Sequence, residues 1–230
     1  MRLSRRELLG KAVALPAALS LAGPVMAQAS PVVDLQLLLA VDASASIDTG
    51  LLDFQLRGHA AAFRHPAVAD AITNGPHRRI AVMLAQFAGP ETLTALIPWR
   101  ELGSVADCDS FAAEIDAAPG IAMGGSTALG SAMVRAVELL DKAPYRSARR
   151  TIDVVSNGFS NAGIDPRSAR GYAAAANVGI NALAILNEYD WLEDYYSDQV
   201  ITGRTAFVRS AATLEDFGAA ILGKLVTEIA

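Results

Sequence analysis

Val33-Asp34-Leu35-Gln36-Leu37-Leu38-Leu39-Ala40-Val41 runs straight into Asp42-Ala43-Ser44-Ala45-Ser46. The first nine residues are short and almost unbroken in their apolar character. That is the pattern of a strand covered on both faces in a parallel sheet. The five that follow are small and polar, and they stand where such a strand must end.

The surroundings repeat this alternation. A helical pattern spans Leu51 to Phe63, with Leu52, Leu56 and Phe63 at helical spacing, and Pro66 ends or bends it. Arg79–Ala88 and Glu91–Trp99 read as strands around a Gly89-Pro90 turn, which implies an antiparallel hairpin. Ser104–Ala117 is helical, and a glycine-rich loop, Gly120–Gly125, leads into a helix over Thr127–Leu140. Arg150–Ser156 is another buried strand. Asp165-Pro166 opens a helix, with a capping carboxylate and proline at its first position, that runs to about Asn177. Ile180–Leu186 is a strand, Asp190–Ile201 a short aromatic helix, Thr205–Val208 a last strand and Leu214–Ile229 a closing helix. The expected fold class is α/β: a doubly wound, mostly parallel sheet with one antiparallel edge strand and helices on both faces. Residues 30–230 show no repeat or linker and read as a single domain.

Composition narrows the function. The 230 residues are 52% hydrophobic and 19% charged, which excludes a disordered chain. The net charge of −5, without a basic tract past the first residues, argues against nucleic acid as a partner. One cysteine, Cys108, excludes an intrachain disulfide framework and multi-cysteine metal sites, and burial is expected for it. The three histidines, His59, His65 and His77, are expected as solvated helix or turn residues.

Residues 1–29 read as an export signal. Arg2, Arg5, Arg6 and Lys11 precede a mostly apolar run from Ala12 to Ala22, with cleavage sites after Ala27 or Ala29. Ser4-Arg5-Arg6-Glu7-Leu8-Leu9 resembles a twin-arginine signal. An ordinary secretory signal or an uncleaved anchor are the alternatives, and Pro16, Gly23 and Pro24 weigh against the anchor. Four basic residues and one acid leave with the signal, which takes the mature chain to a net −8. The expected location is the periplasm or the exterior, with no membrane attachment after cleavage.

Ligands of doubly wound sheets bind at the carboxyl ends of the strands. Asp42-Ala43-Ser44-Ala45-Ser46 follows the first strand, Gly124-Gly125-Ser126-Thr127 follows the glycine-rich loop, and Ser156-Asn157-Gly158 closes the fourth strand. Together they offer a carboxylate, several hydroxyls and an amide, without imidazole or thiolate. Hard oxygen ligands suit Mg²⁺, Mn²⁺ or Ca²⁺ rather than zinc or copper. Gly120–Gly125 lacks the lysine of a phosphate-binding loop. No histidine follows His77 to serve a serine nucleophile in α/β-hydrolase order.

This set resembles the von Willebrand factor type A (vWA) domain and its metal-ion-dependent adhesion site, whose motif is Asp-x-Ser-x-Ser with a distant Thr and a distant Asp. The resemblance covers about Asp34 to Ile229 and looks closest to an exported bacterial branch, through Val33-Asp34-Leu35, Ile97-Pro98-Trp99, Gly124–Ala128, Leu192–Tyr196 and Ala206-Phe207-Val208. It implies that Ser44, Ser46 and Thr127 contact a divalent cation, Mg²⁺ first and Mn²⁺ or Ca²⁺ as alternatives. It implies that Asp42 acts through water, and that a protein partner's Asp or Glu carboxylate completes the coordination. The family's second aspartate falls on Asn157, which keeps an oxygen but loses the charge. Metal affinity should drop by about 10–100-fold if this behaves as other outer ligand losses do. Asn157-Gly158 is also a deamidation-prone pair, and its conversion would restore a carboxylate.

The resemblance implies a non-catalytic, exported protein-binding module. The alternatives are a degenerate domain that binds partners without metal, and a metal-dependent periplasmic hydrolase with Asp42 as the one evident base. Tyr189, Trp191, Tyr195 and Tyr196 stand among Glu188, Asp190, Glu193, Asp194 and Asp198. Helical spacing predicts Trp191, Leu192 and Tyr195 against the sheet, and a partner-binding rim is the other reading.

Overall fold

The computed structural model describes residues 30–230; the proposed export signal lies outside the described residues. The strands are β1 (Gln36–Asp42), β2 (Ile80–Phe87), β3 (Leu93–Leu102), β4 (Arg150–Ser156), β5 (Gly179–Ile185) and β6 (Val208–Ala211). The helices are α1 (Thr49–Arg64), α2 (Pro66–Thr73), α3 (Val105–Ala117), α4 (Leu129–Asp141), α5 (Pro166–Ala175), α6 (Leu192–Gln199) and α7 (Leu214–Ile229). The strands form one sheet in the order β3-β2-β1-β4-β5-β6. All neighbours run parallel except β2 and β3.

Every residue of β1 and β2 is buried, as the unbroken apolar run predicts. Successive side chains point to opposite faces. Leu37, Leu39 and Val41 join one core with Leu52, Phe63, Phe111 and Phe217 from α1, α3 and α7. Leu38 and Ala40 join a second core with Met133, Ala173 and Tyr196 from α4, α5 and α6. Cys108 is buried in the first core, and burial pushes its thiol up to about 11.

Three readings shift. Pro66 does not merely end a helix. It takes the first position of α2, and the His65 ring accepts from Ala67 N–H at 3.2 Å as its cap. The last strand begins at Val208 rather than ending there. Thr205 belongs to a turn closed by Ala206 N–H to Gly203 O, and Gly203 has φ +121°. His59 is fully buried on α1, where Nδ1 donates to Gln55 O at 2.7 Å, and burial lowers its pKa. Its solvated assignment is therefore corrected, whereas His77 is exposed.

A buried charged cluster sits between the sheet and α7. Asp153, paired across the sheet with Leu39 and Asn181, meets Lys224, and both are fully buried. Lys224 also pairs with Glu228 one helical turn on, and Glu228 Oε1 accepts from Asn181 Nδ2 at 2.8 Å. Burial, reinforced by Asp153, pushes Glu228 up to about 8. One lysine thus serves two carboxyl groups.

Candidate functional site

The chain leaves β1 toward one sheet edge and β4 toward the other. The crevice outside the carboxyl ends of such a strand pair is the ligand position of this sheet type. Asp42 is the last residue of β1, and Ser156 is the last residue of β4.

The loop after β1 folds back on the Asp42 side chain. Ser44 N–H donates to Asp42 Oδ1 at 2.8 Å, and Ser156 Oγ donates to Oδ2. Backbone bonds fix the loop: Ala43 N–H to Phe87 O at 2.8 Å, Met123 N–H to Ala43 O at 2.9 Å and Ala45 N–H to Gly125 O at 3.1 Å. Gly124 and Gly125 both have left-handed φ, +68° and +77°, so the loop that clasps Ala43 and Ala45 needs glycine twice in succession.

The five residues singled out from the sequence come together. Thr127 Oγ1 donates to Ser44 Oγ at 2.8 Å, and Ser46 Oγ donates to Asn157 Oδ1 at 2.8 Å. Asp42, Ser44 and Asn157 are fully buried, Thr127 is 5% exposed and Ser46 is half-buried. Asn157 Nδ2 is buried without an acceptor. Burial is the largest influence on Asp42 and raises its pKa, while the bonds from Ser156 and Ser44 oppose the rise. Among the described residues, no lysine, arginine or histidine pairs with Asp42.

Three supporting residues were missed. Ser156 was quoted only as a neighbour of Asn157, yet it holds Asp42 directly. Asn161 Oδ1 accepts from Thr127 N–H at 2.9 Å, and nothing in its local sequence signals this. Tyr196 is fully buried and donates to Gly158 O at 2.7 Å. Its helical spacing from Leu192 could have revealed it. Leu192 and Tyr196 form the buried face of α6, whereas Trp191 is 44% exposed. The expected packing of Trp191 against the sheet is corrected accordingly, whereas Tyr195 is half-buried and packs against the second core as expected.

The donor set suits a hard divalent cation. Adjacent ligands of an octahedral Mg²⁺, each about 2.0–2.1 Å from the ion, lie about 2.9 Å apart. The 2.8 Å separation of Ser44 Oγ and Thr127 Oγ1 matches such an edge. Hydroxyl and amide oxygens are hard donors, and a cation here would favour the ionised form of Asp42 against the burial that raises its pKa.

Beside the site is a pocket of about 220 Å³, walled by Ser46, Thr127, Gly158, Phe159, Glu188 and Tyr189. Phe159 packs on Tyr189 and Trp191 at centroid distances of 5.4 and 5.6 Å, and Tyr195 closes the group 6.1 Å from Trp191.

A family model described as protein of unknown function, DUF1194, matches residues 32–230. The chain belongs to the DUF1194 family. The fold of this DUF1194 member is the vWA fold. It superposes on proximal thread matrix protein 1 of the mussel byssus with a TM-score of 0.64 at 17% identity, covering 87% of this chain and 49% of that one. A structure of the same mussel protein with a zinc-occupied MIDAS motif gives a TM-score of 0.64, also at 17% identity, over 87% of this chain and 48% of that one. The pilus adhesin SpaC of Lactobacillus rhamnosus GG gives 0.60 at 12% identity, over 86% of this chain and 31% of that one. The chain thus spans at most about half the length of these proteins. No curated protein matches it in sequence. No described helix is long and apolar enough to cross a membrane.

Proposed function

We propose that this protein is an exported, non-catalytic binding module that uses a divalent cation to hold a carboxylate of a protein partner. One observation carries the reading: a fully buried carboxylate, Asp42, without a cationic partner, stands among converging hydroxyl oxygens. Ser44, Ser46 and Thr127 would hold the ion directly, with Mg²⁺ the first choice and Mn²⁺ or Ca²⁺ alternatives. Asp42 would balance its charge and fix the loop through Ser44 N–H. Asn157 would orient Ser46 through Oδ1. The ion supplies positive charge left over by neutral ligands, which favours an Asp or Glu from outside. The mussel thread protein and the pilus adhesin share the fold, which agrees with a binding role. Residues 1–29 would direct export, by the twin-arginine route, to the periplasm or beyond.

A hydrolytic role fares poorly. Asp42, the evident base, is fully buried and already accepts from Ser44 and Ser156, so it is out of reach of a substrate water. A metal-independent binding role has one observation in its favour. The hydroxyls are paired internally, Thr127 with Ser44 and Ser46 with Asn157, and the position of the second motif aspartate holds the neutral Asn157.

Calorimetric titration of Mg²⁺ and Mn²⁺ into the mature chain tests the choice. One site that Ser44→Ala abolishes is the expected result. Absence of binding hands the site to the metal-independent reading, and binding that Ser44→Ala leaves unchanged puts the ion elsewhere.

A further inference from the structure

A pocket of about 490 Å³ opens at the other end of the sheet, more than twice the volume of the one beside the hydroxyl site. It lies where β4 and β5 begin, and Arg150 and Gly179, the first residues of those strands, line it. None of the oxygen-site residues reaches it. Its size falls within the roughly 300–1,000 Å³ of small-molecule pockets.

Its charge runs against that of the molecule. The mature chain carries a net −8, yet three arginines and one acid line this pocket. Arg150 is already paired with Asp141. Arg149 donates to main-chain carbonyls, to Glu228 O at 2.6 Å and to Ile229 O at 3.2 Å. Among the described residues, neither Arg149 nor the exposed Arg204 makes an ion pair. Two guanidinium charges are therefore left for an anion from outside.

The one acid is Glu228, almost fully buried in the pocket wall. Its Oε1 accepts from Lys224 and from Asn181 Nδ2 at 2.8 Å, whereas Oε2 is buried without a partner. Lys224 thus answers the charge of the cluster and leaves one oxygen over. An unsatisfied buried carboxyl oxygen is costly. A hydroxyl satisfies it in either protonation state, because a hydroxyl both donates and accepts. An anionic group set against Glu228 would be repelled, so the ligand's charge belongs at Arg204 and its hydroxyls at Glu228. Thr151 and Thr202 add the protein's own hydroxyls to the same space.

We propose that this pocket is a second binding site, for a small hydroxylated carboxylate of the sugar-acid type. Arg204 takes the carboxylate, with Arg149 adding positive charge, and Glu228 Oε2 takes a ligand hydroxyl. The site needs no metal and is independent of the proposed function. The protein is then a module with two ends, one for a protein partner and one for a small solute.

Calorimetric titration into the mature chain tests this, in chelator so that no divalent cation can hold a carboxylate at the hydroxyl site. The probes are D-gluconate, D-sorbitol, hexanoate and inorganic phosphate. Gluconate should bind at one site. Sorbitol, which lacks the charge, and hexanoate, which lacks the hydroxyls, should each bind at least about tenfold more weakly. Arg204→Gln should bring gluconate down to the level of sorbitol. Glu228→Leu, which keeps Lys224 paired with Asp153, should bring it down to the level of hexanoate. Ser44→Ala should change nothing. Unfolding midpoints check each variant, and the exposed Arg204 position carries the test if Glu228→Leu does not fold. No binding of gluconate, equal binding of gluconate and hexanoate, or gluconate binding that survives Arg204→Gln overturns the proposal. Phosphate binding as tight as gluconate also overturns it, in favour of a plain anion site.

Discussion

Two aspartates of this sheet, Asp153 and Asp42, are fully buried and live in opposite circumstances. Asp153, in the middle of β4, has Lys224 beside it and Glu228 sharing that lysine. Asp42, at the end of β1, has hydroxyls, an amide and a backbone N–H, but no cation of the protein's own. Desolvating an ion costs several kcal/mol, so a buried carboxylate needs a counter-charge or a proton. The first centre is closed on itself and braces α7 to the sheet. The second lies beside an open pocket, where a counter-charge could come from solution.

The largest effect is expected from opening the closed centre. Lys224→Met leaves Asp153 and Glu228 without a cation and should cost about 3–5 kcal/mol in urea unfolding. A cost below 1 kcal/mol would mean that the cluster is already neutral without its lysine. The reverse experiment adds charge at the open centre. Asn157→Asp should raise Mg²⁺ affinity about 10–100-fold. In chelator the same variant should unfold at a lower temperature than the parent, because a second buried carboxylate then faces Asp42. A variant equally stable in chelator and in Mg²⁺ would break the contrast.

A smaller effect separates the centres by pH. Glu228 sits at about 8 in the folded protein, against 4.5 for an ordinary glutamate. The folded state therefore holds the extra proton between those values, and stability falls as pH rises through that window. His59 is lowered, so its contribution is present above its ordinary value of 6.5 and is lost as pH falls. Asp42 is raised and acts in the same sense as Glu228 from a lower starting value. Lys224 faces Glu228 as the cation. Between pH 6.5 and 8 unfolding free energy should decline, and Glu228→Gln should flatten that slope. An unchanged slope in the variant would assign it to another group.

The smallest effect is an expected silence. Deamidation of Asn157 needs the Gly158 nitrogen as nucleophile, but that N–H already donates to Ser156 Oγ at 3.0 Å and Asn157 is fully buried. Peptide mass analysis of aged folded protein should show no gain at this pair, while urea-unfolded chain gains mass. Gain at equal rates in both would show that the local packing offers no protection.

Period and punctuation made most of the fold legible. β4 was read to the residue, because an apolar run bounded by a basic stretch and a polar exit leaves little latitude. β6 was placed too early, because the Gly203 turn takes up the residues that looked like strand. The three segments of the oxygen site were legible because each stands at the end of a strand or a glycine-rich loop on one side of the sheet, and the resemblance to the vWA motif singled out Asp42, Ser44, Ser46, Thr127 and Asn157 within them. Their supports were not: Asn161 to Thr127 and Tyr196 to Gly158 are contacts across 34 and 38 residues. The closed centre was half visible. Lys224 and Glu228 are one turn apart on a helix, but only the fold brings Asp153 to them.

Ser46 meets Asn157 across 111 residues, and Ser156 meets Asp42 across 114. No fragment shorter than about half of the chain can make either contact, and pairings of this span form late and slowly. Ligand binding at this face would therefore report that the ends of β1 and β4 have come together. A chain that crosses a membrane already folded would arrive with its binding face in place, whereas one threaded through unfolded would reach the far side as a blank.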